Sequence, residues 1–168
     1  MRSMMENDEP DESSILSPED LSPDNQSDLL LSGDMANVSI EDLLPDPVHV
    51  FRLWQIFLDR VNPLTKIIHV PTVQPYVMDV ATNISNVPLN YQALLFSIFS
   101  MAAVSLDQSE CIQLLGISRE KATVRFNTAT KAALVRSNFM KQFNMTSLQA
   151  LLLYMVRTRC WDAALPNG

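Results

Sequence analysis

The stretch LNYQALLFSIFSMAAVSL, residues 89–106, decides the fold, because it contains no charged side chain. Its large apolar residues are interspersed with small Ser and Ala residues, as in a helix whose neighbours pack closely on all sides. The uncharged interval 80–106 is long enough to span a bilayer. It is interrupted by asparagines, serines and Pro88, so its apolar part is too short for a membrane span. We therefore expect a central buried helix and no membrane partner.

Four amphipathic segments surround this central helix, and each repeats apolar residues at steps of three and four. The first, VHVFRLWQIFLDRV (48–61), follows Asp46 as a cap and Pro47 at the first helical position. We expect Asn62-Pro63 to end it. The others are a helix marked by Val73, Tyr76, Val77, Val80 and Ile84 with Thr72 as its cap, REKATVRFNTATKAALVRSNF (119–139) after Ser118, and SLQALLLYMVRTR (147–159), with Leu148, Leu151, Leu152 and Met155 on one side. Strand signals are nearly absent, so the fold class is all-α, with about five packed helices in an incomplete helical domain.

Charge divides the chain near residue 46. Residues 1–50 carry thirteen acidic side chains against Arg2 alone, whereas residues 51–168 carry eleven basic and six acidic ones. We expect residues 1–45 to form a disordered acidic tail or linker, because burial there cannot offset the backbone entropy of ordering. Within it, SDLLLSGDMANVSIEDLL (27–44) is either a segment that becomes helical in a partner's groove or a solvated linker. Residues 46–157 form the domain and residues 158–168 an irregular C-terminal end.

Motifs for catalysis or metal binding are missing. The chain has no Gly-rich phosphate loop, no G-x-S-x-G elbow and no H-E-x-x-H helix. Cys111 and Cys160 are too few for a disulfide framework, which fits a reducing compartment, and neither has a partner at metal-ligand spacing. His69 lies among aliphatic residues, which favours a structural role over ligation. We assign no catalytic, cofactor-binding, metal or DNA-binding residue and expect no enzyme.

The fourth helix carries a basic stripe formed by Arg119, Lys121, Arg125, Lys131 and Arg136. Such a stripe can contact nucleic acid, but it lacks interleaved aromatic residues and a groove-reading motif. The sequence therefore favours a solvated face over a DNA contact.

The stretch PDPVHVFRLWQIFLDRVNPLTKIIHVPT (45–72) resembles the opening of the regulatory middle homology region of fungal binuclear-zinc-cluster transcription factors, the fungal-specific transcription factor domain. In that family a tryptophan-bearing helix ends at x-Pro-Leu, followed by a lysine, two aliphatics, a histidine and Pro-Thr. The matching residues here are Trp54, Pro63, Leu64, Lys66, Ile67, Ile68, His69, Pro71 and Thr72. LLFSIFSMAAVSL (94–106) and TSLQALLLYM (146–155) resemble the next segments of the region in the same order.

The resemblance covers residues 46–157 and implies a truncated nuclear transcription factor that regulates a metabolic or secondary-metabolite gene set. The family's zinc cluster needs six cysteines, so zinc and sequence-specific DNA binding are expected only in a full-length member. RTRCWDAALPNG (157–168) reads as an out-of-family ending. The expected partners are other transcription regulators or a second copy of the chain, because apolar faces of the third and fifth helices would lack partners. The alternative is a standalone helical interaction module that modulates another regulator without DNA contact.

Overall fold

The computed structural model describes residues 35, 37–141 and 144–164, and within them the chain forms six helices and no strand. Helix α1 runs over Pro47–Ile56, continues as a π-helical turn over Phe57–Val61 and closes with Asn62–Thr65. The others are α2 (Val70–Thr82), α3 (Leu89–Val104), α4 (Gln108–Leu115), α5 (Arg119–Arg136) and α6 (Met145–Ala164), with 3-10 turns at Glu41–Leu43 and Ile84–Asn86. The all-α prediction is confirmed.

Helix α3 is the centre of the domain. Every residue from Gln92 to Ala103 is buried, and α3 packs most extensively against α5 and α6, with α1 and α2 covering it elsewhere. Two of its buried polar side chains are hydrogen-bonded locally: Gln92 Nε2 donates to the carbonyls of Ile84 and Val87 at 3.1 and 2.7 Å, and Ser97 Oγ donates to Ala93 at 2.7 Å. Ser100 Oγ is buried without a hydrogen-bond partner among the described residues. The uncharged stretch is thus a core helix, as predicted. The prediction that an apolar face of this helix would lack a partner is wrong, because the other helices cover it. In the described part of the chain, no helix has the length and apolarity needed to cross a membrane.

Pro63 does not end helix α1, which is a correction to the sequence prediction. Proline lacks an N–H, and its ring would clash with the carbonyl of residue 59, four positions earlier, in a regular helix. The backbone widens instead into the π-helical turn, where the Asn62 N–H bonds to the Phe57 carbonyl five residues back. The helix ends one turn later at Lys66, whose φ of 47° lies in the left-handed region.

The connector between α1 and α2 has the structural role expected for it. Ile68 is buried, and Ile67 and Val70 pack against the core. His69 immediately precedes α2 and is exposed, with its Nδ1 2.8 Å from Thr72 Oγ1. Thr72 therefore lies in the first turn of α2, and the N-cap of the helix is His69, three residues before the predicted cap Thr72.

Helix α4 was not predicted. Asp107 and Glu110 form a capping box, in which Asp107 Oδ1 accepts the Glu110 N–H at 2.7 Å and Glu110 Oε2 accepts the Asp107 N–H at 3.0 Å. Gly116 closes the helix with a φ of 71°, a conformation that glycine adopts without steric cost. The helix attaches to α1 because Arg60, on the π-helical turn, pairs with Glu110 through two contacts of 2.7 and 2.9 Å.

Both predicted domain boundaries fall inside packed or helical segments. Upstream of residue 46, Ile40 is only 1% exposed, and Leu43 and Leu44 pack against the core. Downstream, α6 continues past residue 157 to Ala164, and no helix-breaking proline or glycine occurs between residues 157 and 165. The expected disorder of residues 1–34 lies outside the described residues.

Candidate interaction site

The basic stripe of α5 binds the chain's own N-terminal segment, which we define as residues 37–46. Arg125 donates three hydrogen bonds to backbone carbonyls: Nε to Leu43 at 3.0 Å, and Nη2 to Leu44 at 2.7 Å and to Asp42 at 3.2 Å. Arg136 Nη2 donates to the Val38 carbonyl. Sequence reasoning placed both arginines on a solvated face, but their guanidinium groups are the docking points of this segment.

Two further cations of the stripe, Arg119 and Lys131, also contact groups within the domain. Arg119 Nη1 donates to the Leu106 carbonyl at 3.4 Å. Lys131 Nζ lies 6.0 Å from the ring centroid of Tyr154, where a cation is attracted to the aromatic face. Lys121 is exposed. Most cations of this helix are therefore engaged in contacts within the chain.

The N-terminal segment is amphipathic when docked. Ile40, Leu43 and Leu44 face the domain, whereas Glu41, Asp42 and Asp46 are exposed. Of the two interpretations left open for residues 27–44, the solvated linker does not describe the part from residue 37 onward. That part packs against the helical domain of the same chain and is hydrogen-bonded to its arginines.

Helix α6 carries apolar residues on two opposite sides. Its inner side buries Ser147, Ala150, Leu153 and Arg157 against the domain. Its outer face, defined as Met145, Leu148, Leu152 and Met155, is 69, 49, 42 and 51% exposed in that order. Three of the four residues that mark the apolar side in the sequence thus point away from the core, as expected for a face without a partner.

Two clefts lie at the start of the outer face. An apolar cleft of about 90 Å³ is lined by Phe139, Met140, Asn144, Ser147, Leu148 and Leu151. A more polar cleft of about 340 Å³ is lined by Leu89, Asn90, Arg136, Ser137, Asn138 and Asn144. The clefts share Asn144, and the second also contains Arg136, so the docked N-terminal segment and the outer face of α6 are neighbours.

The residues considered for chemistry are not assembled into a site. Cys111 is fully buried, and this burial raises the pKa of its thiol, which disfavours the nucleophilic thiolate. His49 lies 3.9 Å from Asp46 Oδ2, whereas His69 contacts Thr72. The side chain of Cys160 lies outside the described residues. Among the described side chains, no group of three or more His, Cys, Asp or Glu residues is placed to hold a metal ion.

Comparison with known proteins identifies the family. The model of the fungal specific transcription factor domain matches residues 54–162. The chain belongs to this family. The match begins in α1 and extends into the last turns of α6, so the fungal transcription factor domain here includes the end of α6 that sequence reasoning assigned to an irregular tail.

Curated relatives are named as transcription factors or transcriptional regulators. The chain is 48% identical over 162 residues to the pyriculol/pyriculariol biosynthesis cluster transcription factor 1 of Pyricularia oryzae, covering 93% of this chain and 21% of the relative. It is 36% identical to the transcriptional regulator AacuB of Aspergillus aculeatus, covering 80% and 18%, and 37% identical to the aurofusarin cluster transcription factor aurR2 of Gibberella zeae, covering 72% and 18%. This chain thus spans about a fifth of the length of these relatives. No solved structure matches it.

Proposed function

We propose that this chain acts in a fungal nucleus in the transcriptional regulation of a secondary-metabolite biosynthetic gene cluster. The observation that carries the proposal is the domain match over residues 54–162, together with relatives named as regulators of the pyriculol/pyriculariol and aurofusarin clusters. The proposed role is regulatory and not enzymatic, and it is exerted through protein contacts.

Two features of the surface support contacts with protein rather than with DNA. The arginines of α5 that could neutralise phosphates donate instead to backbone carbonyls of the N-terminal segment. The outer face of α6 is apolar, and from Met145 to Val156 the helix carries no charged side chain. Apolar, uncharged surface of this kind marks contact sites for proteins. The proposed partners are other transcription regulators or a second copy of the chain.

Deletion of the gene tests this function. We expect transcripts of one contiguous set of biosynthetic genes to fall and to recover when the intact gene is restored. As a companion measurement, the purified chain should give no sequence-specific gel shift at physiological salt, because affinity that rests on phosphates alone is salt-sensitive and unspecific. Unchanged transcripts across all biosynthetic clusters would refute the proposed function, and a specific shift would refute its restriction to protein contacts.

A second candidate function is a standalone interaction module that modulates another regulator, and the exposed outer face of α6 favours it. The two functions differ in what happens when the chain is tethered to a heterologous DNA-binding module upstream of a reporter. A regulator that acts through its own contacts changes reporter output when tethered. A module that only modifies another regulator leaves the reporter unchanged and alters that regulator's output when expressed untethered.

A further inference from the structure

The exposed apolar residues on α6 follow a heptad spacing. Met145, Leu148, Leu152 and Met155 are separated by steps of three, four and three residues, which is the spacing that keeps apolar side chains in one seam between paired helices. All four are at least 42% exposed. At a rise of about 1.5 Å per residue the seam is roughly 15 Å long.

The same spacing is symmetric about residue 150. Leu148 and Leu152 lie two residues on either side of Ala150, and Met145 and Met155 lie five residues on either side. If two copies of α6 lie antiparallel with their outer faces in contact, each leucine meets a leucine and each methionine meets a methionine. A two-fold interface requires this self-complementarity, because the same patch is used by both copies.

Charge and area fit a weak contact between copies. No charged side chain lies between Met145 and Val156, so pairing brings no unpaired charge into the seam. The four partly exposed side chains supply on the order of 400 Å² per copy, or roughly 800 Å² over both copies. This total lies below the roughly 1,200 Å² buried in stable complexes and in the range of transient ones. The apolar cleft next to Leu148 adds a recess at each end of the seam.

We propose that the outer face of α6 binds the same face of a second copy of this chain, in an antiparallel, two-fold symmetric and reversible dimer. The inference deepens the proposed function and rests on its premise that the chain acts by protein contacts. Its test measures assembly and not transcription, so the two can fail separately.

Sedimentation velocity of the intact chain over a hundredfold range of concentration tests the dimer. We expect a monomer–dimer equilibrium for the wild type and a monomer at every concentration for Leu152→Asp, whose side chain is outside the core and 42% exposed. Met78→Asp is the matched control, because Met78 is 57% exposed on α2 and lies outside the seam. Circular dichroism should show the same helix content for all three proteins.

The antiparallel arrangement is tested by disulfide trapping in a Cys160→Ser background. Chains carrying Leu148→Cys and chains carrying Leu152→Cys should cross-link with each other much faster than either does with itself. A wild type that stays monomeric, a dimer that survives Leu152→Asp as well as Met78→Asp, or faster self-linking of the Leu148→Cys chains would each overturn the proposal. If the symmetric dimer is trapped but deletion of the gene leaves the biosynthetic transcripts unchanged, only the proposed function is refuted.

Discussion

Arg125→Lys should detach the N-terminal segment while keeping the positive charge. The guanidinium donates to three carbonyls, of Leu44, Leu43 and Asp42, at 2.7, 3.0 and 3.2 Å. A lysine ammonium is a point donor and cannot reproduce this fork. At least two charge-assisted hydrogen bonds are lost in a partly buried site, and since each contributes on the order of 1 kcal/mol net, we expect a destabilisation of about 2 kcal/mol. For a chain of this size that corresponds to a decrease in Tm of roughly 4–8 °C.

Arg159→Lys provides the matched control, because Arg159 is exposed on α6 and surface substitutions of this kind change stability by less than about 0.5 kcal/mol. Hydrogen exchange gives the local measurement. The Leu43 and Leu44 N–H groups bond to Ile40 and Glu41 at 3.1 and 3.2 Å, and their protection should fall in Arg125→Lys before that of α3 amides changes. Equal melting temperatures for the two variants would refute the docking role of Arg125.

Three other substitutions test the remaining contacts. Ile40→Ala, at a fully buried position, should cost about 2–4 kcal/mol by chemical denaturation, whereas Leu64→Ala, at a position 85% exposed, should cost almost nothing; equal costs would contradict the packing of residue 40. Glu110→Gln should flatten the pH dependence of Tm: hydrogen bonds from Arg60 hold the pKa of Glu110 at about 2, so its contribution is present above the unfolded pKa of about 4.5 and is lost as the pH falls towards 2, and an unchanged acid limb would count against the pair. Gly116→Ala should cost about 1 kcal/mol, because a φ of 71° strains any side chain although no atom lies within 4 Å of the added carbon, and an unaltered melt would exclude this strain.

Local patterns predicted much of the fold. The uncharged stretch around Phe96 identified the core helix, Pro47 marked the start of α1, and Ser118 caps α5 by accepting the Lys121 N–H at 3.3 Å. Helix α4 could have been found the same way, since Asp107, Glu110 and Gly116 are its start and stop signals in the sequence.

Other features depend on contacts that a local pattern does not contain. The lack of an N–H in proline predicts a helix end at Pro63. The chain stays helical because Phe57 and Val61 are buried on the preceding turn, and the backbone widens there into a π-helical turn. Acidic composition predicts disorder up to residue 45, yet Ile40 is buried and the partner that holds its segment, Arg125, lies 81–83 positions away from its acceptors. On α6, apolar residues lie on both sides and the buried side also carries Ser147 and Arg157, so the apolar pattern alone does not tell which side packs inward.

The placement of the acidic residues favours the antiparallel pairing over a parallel one. Arg136 holds Val38 and lines the cleft that shares Asn144 with the start of α6, so the described chain begins next to one end of the outer face. Residues 1–34 carry ten acidic side chains against Arg2. Parallel pairing would bring two such regions to the same end of the seam, whereas antiparallel pairing separates their attachment points by roughly 15 Å, beyond the screening length of about 8 Å at physiological salt. The residual repulsion should make the dimer somewhat stronger at higher salt, the opposite of an assembly held by ion pairs.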